Sequence, residues 1–337
     1  MTSGSHPVRV AAGEVICDVS NLTVAYHSAG EWLQAVREVS FEVRTGEILA
    51  VVGETGSGKS TTATAMIRML PRNGRVLAGQ VSFGGTDLLA LSIGDMRRLR
   101  GQEIAYVPQQ PMSAFNPTMT VGRQVAEPLV IHRHIGYREA APQAAARLRE
   151  MGIHEVERVM RSYPHELSGG MLQRAMIATA MICQPRLLIL DEPTSALDVT
   201  IQRQILNLIK EVQVTYHLAV VLISHDLTVV SQVADRILVL YGGRAAEIGP
   251  TSTIVAAPRH PYTRGLLRST LSGERAHKAK LASLAGYPPN PLEVDREPGC
   301  PFRPRCHRVV AQCSESFPAL AGEPGHLWAC YAPEPAA

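Results

Sequence analysis

The chain has 337 residues, 45% of them hydrophobic and 19% charged, with a formal net charge of +3. This composition suits a globular protein with a substantial core in one large or two modest domains, and the charge is too small to call for a nucleic-acid partner. No stretch approaches the roughly 18–20 uninterrupted apolar residues of a membrane span, and the opening MTSGSHPVRVAAGE lacks the apolar run and cleavage site of a secretory signal. A cytosolic protein is expected, reaching any membrane through a partner.

Residues 14–26 (EVICDVSNLTVAY) and 36–43 (VREVSFEV) alternate apolar and polar side chains, the pattern of half-buried antiparallel strands. Gly46 leads into EILAVVG, an unbroken apolar run suited to a central strand. A glycine-rich loop and a helical stretch, STTATAMIRML, follow, and Pro71 ends the helix. Residues 76–107 hold further strand patterns, 110–120 (QPMSAFNPTMT) read as a loop, and 121–182 as helices. RLLILD (186–191) and LAVVLIS (218–224) are buried strands on either side of a helix over 201–216, and DRILVLYGG (235–243) is a strand running into a turn. Parallel-type strands alternating with helices give an α/β sheet, with a second, smaller antiparallel sheet from the first strands. Past Pro258 the sequence turns rich in Pro, Gly, Cys and Arg with little periodicity, as in a small appended domain over 258–337.

Three motifs carry chemistry. GETGSGKST runs from Gly53 to Thr61 through Glu54, Thr55, Gly56, Ser57, Gly58, Lys59 and Ser60, and fits G-x-x-x-x-G-K-[ST] between a strand and a helix. Its glycines let consecutive backbone N–H groups turn towards a phosphate, and the helix N-terminus points its positive end at the same anion. Lys59 is placed to reach the β- and γ-phosphates of a nucleotide and Ser60 to ligate Mg²⁺. In LLILDE (187–192) an apolar strand delivers Asp191 at its carboxyl end, where it can hold Mg²⁺, with Glu192 next to it to orient or deprotonate an attacking water. LSGGM (167–171) is a third feature, a Ser-Gly-Gly turn opening a helix with free backbone donors at Ser168, Gly169 and Gly170.

The order of these motifs resembles the ABC ATPase family over roughly residues 14–255. That resemblance implies a P-loop NTPase fold: a RecA-like core with an antiparallel β subdomain and a helical subdomain (about 110–182), together forming a nucleotide-binding domain over 1–257. It also implies ATP and Mg²⁺ as ligands and assigns further residues. Tyr26 stacks on adenine. Gln109 in YVPQQP touches Mg²⁺ and water, and Asp198 in SALD lies at a dimer contact. His225 in LISHD sits beside the γ-phosphate. Two subunits sandwich two ATP, so that Ser168, Gly169 and Gly170 act on the partner's nucleotide. Met171 stands where Gln is commonest and Leu172 where Arg is usual. A non-transport ABC ATPase of translation or DNA repair would carry two cassettes or a long coiled-coil insertion, and neither is present; Glu192 and His225 argue against a module that only holds ATP.

HPYTRGLL (260–267), GYPPNP (286–291) and GCPFRPRC (299–306) resemble the C-terminal extension of dipeptide and oligopeptide importer ATPases, the D-type subunit of a pair. This implies a peripheral motor on the cytoplasmic face of the inner membrane. Its partners would be a second, homologous ATPase in a heterodimer, two permease subunits and an extracytoplasmic solute-binding protein. The cargo would be di- or oligopeptides, with nickel or another small solute as the alternative. Cys300, Cys306, Cys313 and Cys330 crowd the tail, and four thiolates there can hold Zn²⁺ or an iron–sulfur cluster. The resemblance favours a [4Fe–4S] cluster, with zinc, free thiols or a disulfide as alternatives. His307 and His326 read as solvated or packing residues.

Overall fold

The computed structural model describes residues 13–28, 30–195, 197–275, 284, 286–289, 294 and 298–335. Residues 1–12, which bear on a secretory signal, and the end of the GYPPNP motif lie outside the described residues. The strands are β1 (Val15–Ser28), β2 (Glu31–Arg44), β3 (Ile48–Val52), β4 (Gly74–Phe83), β5 (Thr86–Asp87), β6 (Ile104–Val107), β7 (Leu187–Asp191), β8 (Ala219–Ser224), β9 (Arg236–Tyr241), β10 (Arg244–Pro250), β11 (Ala321–Glu323) and β12 (His326–Trp328). They form two sheets, ordered β2-β1-β4-β5 and β11-β12-β10-β9-β3-β8-β7-β6. The run β9-β3-β8-β7-β6 is parallel throughout.

The buried parallel strands pack on both faces, and their side chains alternate between two cores as a period of two requires. Ile48, Ala50 and Val52 of β3 enter one core, which also holds Leu188 and Leu190 of β7 and Val220 and Leu222 of β8. Leu49 and Val51, with Leu187, Ile189, Val221 and Ile223, face the other, against β1, β2 and the helix Lys59–Met66. Between β6 and β7 the chain builds a helical layer from Val121–Arg133, Tyr137–Glu150, Val156–Arg161 and Gly169–Met181. The region expected to be strands over 76–107 also contains a helix, Ile93–Leu99, started by the Ser92 side chain accepting from the Asp95 N–H at 3.1 Å. The 110–120 segment contains the short helix Pro111–Ala114.

The tail differs most from the expectation of an appended unit. β12 pairs with β10 through Glu247–Trp328 and Ile248–Leu327, so the last described segment extends the main sheet. Tyr262 and Phe302, from the tail, are among the largest fully buried side chains and belong to the main core. Glu247 is fully buried; its Oε1 accepts from the Arg259 N–H (2.7 Å) and lies 2.7 Å from His326 Nε2, and its Oε2 accepts from the His260 N–H (2.9 Å). One carboxylate thus ties β10 to two separate segments of the tail, and saturating its hydrogen bonds offsets the cost of burying it. Burial pushes His260 down to about 4, and its Nδ1 accepts from the Tyr262 N–H. His307 is exposed and reaches Glu334 at 2.9 Å. Because core and sheet are shared, Phe302→Ala is expected to destabilise the whole chain by about 3–5 kcal/mol. Urea unfolding followed by both far-ultraviolet circular dichroism and tryptophan fluorescence should shift as one transition; a tail that melts separately from the rest would contradict the shared core.

Candidate functional site

The site forms at the carboxyl end of β3. Gly53 leaves the strand against the carbonyl of Leu240, and a Cβ at Gly53 would stand 2.3 Å from that oxygen. Gly58 caps the helix Lys59–Met66 in the left-handed region at φ 99°, with a Cβ position 2.6 Å from the Ala35 carbonyl. Both positions admit only glycine. The loop between them carries Glu54, Thr55, Gly56 and Ser57. The Ser57 hydroxyl is buried with no hydrogen-bond partner among the described residues, a polar group left over inside an anion cradle. Lys59 is buried, and its ammonium donates to the carbonyls of Gly53 (2.8 Å) and Glu54 (3.0 Å). Burial lowers its pKa, while Glu192, Asp191 and Glu54 act in the opposite sense. Tyr26 lies beside the start of this helix: its hydroxyl is 3.1 Å from Thr61 Oγ1, and its ring packs against Gly74.

β7 brings the acids. Asp191 is buried; one carboxylate oxygen accepts from Ser60 Oγ at 2.9 Å and the other from the Tyr106 hydroxyl at 3.0 Å. Burial raises its pKa, with the two hydroxyl donors opposing, and burial beside Asp191 raises the Tyr106 phenol as well. Glu192 follows in the left-handed region at φ 45°, an uncommon conformation for a residue with a Cβ. Its Oε2 accepts from Gln109 Nε2 at 2.9 Å and lies 3.4 Å from His225 Nδ1. The three residues singled out for catalysis, Gln109, Glu192 and His225, therefore meet around one carboxylate oxygen. Hydroxyl, carboxylate and amide oxygens at Ser60, Asp191 and Gln109 are the hard donor set that Mg²⁺ takes, so these residues fit that ion.

The signature turn belongs to the helical layer. Ser168 caps the helix Gly169–Met181 by accepting from the Met171 N–H at 3.4 Å. A Cβ on Gly170 would meet Ile201 at 2.9 Å, and one on Gly169 would meet Leu197. Asp198 caps the helix Val199–Tyr216 through the N–H groups of Thr200 (3.1 Å) and Ile201 (3.0 Å). Signature and D-loop thus pack on one another. Leu172 is buried in the main core and Met171 packs against it, so the departure at 172 places an apolar side chain in an apolar setting.

Tail residues absent from the motif assignment reach the P-loop. Arg305 donates to both carboxylate oxygens of Glu54, at 2.6 and 3.0 Å, and to the Tyr241 hydroxyl at 3.1 Å. The Tyr262 hydroxyl accepts from the Glu54 N–H at 2.8 Å. Pro288 and Pro289 line a cleft together with Glu54, Thr55, Gly56, Ser57 and Tyr241. The Glu54 side chain, expected among the nucleotide contacts, is thus engaged by the tail. Tyr106, Tyr241, Tyr262 and Arg305 received no role from the sequence, although Tyr106 opens YVPQQP, Tyr262 lies in HPYTRGLL and Arg305 in GCPFRPRC.

Cys300, Cys306, Cys313 and Cys330 all line a single cavity, closed on other sides by His260, Phe302 and Tyr331. Among the described residues, no group of three or more His, Cys, Asp or Glu is disposed to hold one metal ion. Burial pushes the Cys300 thiol up to about 12 and Cys330 to about 11, and Cys306 rises for the same reason. Backbone N–H contacts act in the opposite sense on all three, and the neighbouring thiols add to the rise. No described helix is long and apolar enough to cross a membrane.

Comparison with known proteins gives the family. The ABC transporter family matches residues 36–195, and the oligopeptide/dipeptide transporter C-terminal region matches 246–313. The chain is 39% identical to the oligopeptide transport ATP-binding protein OppD of Escherichia coli over 97% of its length and 96% of that protein. It is 44% identical to the dipeptide transport ATP-binding protein DppD of Bacillus subtilis over 90% of each. An ATP-binding cassette solved as a dimer in a post-hydrolysis state bound to ADP and phosphate superimposes with a TM-score of 0.63, at 26% identity, covering 70% of this chain and 98% of that one. The chain belongs to the ABC transporter family of ATP-binding proteins, in the group that carries the oligopeptide/dipeptide transporter C-terminal region.

Proposed function

We propose that the chain is the ATP-hydrolysing motor subunit of a membrane importer for di- or oligopeptides, working at the cytoplasmic face of the membrane. The observation that carries the reading is the meeting of Gln109, Glu192 and His225 next to the Ser60–Asp191 pair and the P-loop lysine. The peptide cargo rests on the relatives' names, oligopeptide and dipeptide transport, in preference to nickel or another small solute. The partners follow the same resemblance: a second ATPase of the same kind in a heterodimer, two permease subunits and an extracytoplasmic solute-binding protein.

The residues divide the work. P-loop N–H groups and Lys59 bind the β- and γ-phosphates, and Tyr26 packs on the base. Ser60, Asp191 and Gln109 would hold Mg²⁺, which neutralises charge on the phosphate oxygens. Glu192 orients the attacking water and takes its proton as the water oxygen bonds to the γ-phosphorus and the bridging oxygen leaves with ADP. Gln109 and His225 hold the Glu192 carboxylate from two sides, which fixes the base. Ser168, Gly169, Gly170 and Asp198 serve the partner's nucleotide across the dimer.

The resemblance to peptide-importer ATPases favours a [4Fe–4S] cluster over zinc at the four cysteines. All four line one cavity, and four thiolates there would be the donor set that such a cluster takes. It would crosslink a tail with few periodic apolar residues.

Two outcomes test these assignments. Glu192→Gln should abolish steady-state phosphate release from the assembled importer, by at least about 100-fold, while leaving equilibrium ATP binding intact; undiminished turnover would remove Glu192 as the base. Protein purified without oxygen should absorb in the visible and contain iron and acid-labile sulfide near about four each per chain, and Cys313→Ser should lose both. Zinc in place of iron, or no metal, would overturn the cluster.

A further inference from the structure

The P-loop residue Glu54 is a chemical oddity. A carboxylate in a loop whose task is to bind a polyphosphate opposes that task, and this one lies within electrostatic reach of the buried Lys59 ammonium. Resting on the ATP-site reading above, we propose that Arg305 is a positioning residue of the nucleotide site. It acts through Glu54, holding that carboxylate in a bidentate ion pair so that the P-loop presents no uncompensated negative charge to the incoming nucleotide.

The geometry is that of a built contact. Both guanidinium Nη atoms engage both carboxylate oxygens, at 2.6 and 3.0 Å, and the arginine side chain is only 5% exposed. Arg305 is aimed by its surroundings. It donates to the Tyr241 hydroxyl, and its guanidinium lies near the rings of Tyr241 and Phe302. Its own N–H is held by the Phe302 carbonyl in a tight turn, Arg303–Arg305. Glu54 is aimed as well, its N–H donating to Tyr262 and its carbonyl accepting from Lys59. A planar, doubly bonded and largely desolvated pair of this kind is worth far more than a surface ion pair, and lysine cannot reproduce its fork. The catalytic motifs all lie within the first 225 residues, yet the neutralising charge comes from a point 251 residues along the chain from Glu54.

The role separates from simple bracing because removing Arg305 alone strands a carboxylate beside the phosphate loop, whereas removing both partners takes that charge away again. The experiment measures binding of N-methylanthraniloyl-ATP with Mg²⁺ to the full chain by fluorescence, with Lys59→Ala as the control for the P-loop. Arg305→Gln is expected to weaken binding by about tenfold, with the deficit shrinking as ionic strength rises. The double variant E54Q/R305Q should recover most of what R305Q loses, and R305K should fall between R305Q and the wild-type chain. If R305Q does not accumulate as folded protein, R305K takes its place in the comparison. The inference falls if the double variant stays as weak as the arginine variant alone, for then the pair would only brace the fold. Wild-type chain that fails to bind the probe, or binds it as well with Lys59→Ala, would overturn the nucleotide site itself and the inference with it.

Discussion

The end of β3 sets the terms for everything around it. A strand buried on both faces between β8 and β9 must stop and, within six residues, turn its backbone N–H groups inward and start a helix. The Leu240 and Ala35 carbonyls stand where the Cβ atoms of positions 53 and 58 would be, so the loop is pressed into shape by its neighbours as well as by its own glycines. Those neighbours belong to β9 and β2, and the phosphate cradle is therefore a property of both sheets. Its precision depends on their remaining docked.

Charge is the second constraint, and burial is what makes it matter. Lys59 and Asp191 are each nearly excluded from water, where an isolated ion is costly. Each is kept by partners on the page: loop carbonyls for the lysine, the Ser60 and Tyr106 hydroxyls for the aspartate. The pKa shifts oppose each other in the expected sense, the lysine down and the acid up, because burial outweighs the attraction between them. Glu192 is held differently. It is bonded by a side-chain amide and an imidazole, both from exposed residues, which suits a group that must receive a water and then a proton.

The order of motifs made the cassette legible in the sequence, since GETGSGKST, LSGGM, LLILDE and LISHD each announce a local structure that the chain builds on the spot. The strand periods were legible for the same reason, and β3, β7 and β8 fall where their apolar runs predict. What local pattern could not carry was pairing across distance. Nothing in HPYTRGLL says that its tyrosine takes the Glu54 N–H, and nothing in GCPFRPRC says that its second arginine reaches a P-loop. β12 was illegible for a related reason: three residues have no period, and only pairing with β10 and β11 makes them a strand. The reading of 258–337 as an appendage followed from its lack of periodic apolars, but burial there is concentrated in a few large side chains, Tyr262 and Phe302 above all, which a period cannot reveal.

This concentration explains how a tail with so little apolar pattern becomes part of the cassette. Glu247 fixes where the tail leaves the sheet and where β12 returns to it, and Tyr262 and Phe302 fill the core between those points. The turn from Cys300 to Cys306 then has one face towards the thiol-lined cavity and the other, through Arg305, towards Tyr241 and Glu54. Two sites that look separate in the sequence, the phosphate loop and the cysteine cavity, are the opposite sides of one seven-residue turn. Any group that fixes the spacing of those two cysteines also fixes where the guanidinium points. A tail that served only to fill space would need neither the buried ion pair nor the four thiols, and the presence of Arg305 and two of those thiols on a single turn is the strongest physical reason to treat the extension as part of the motor.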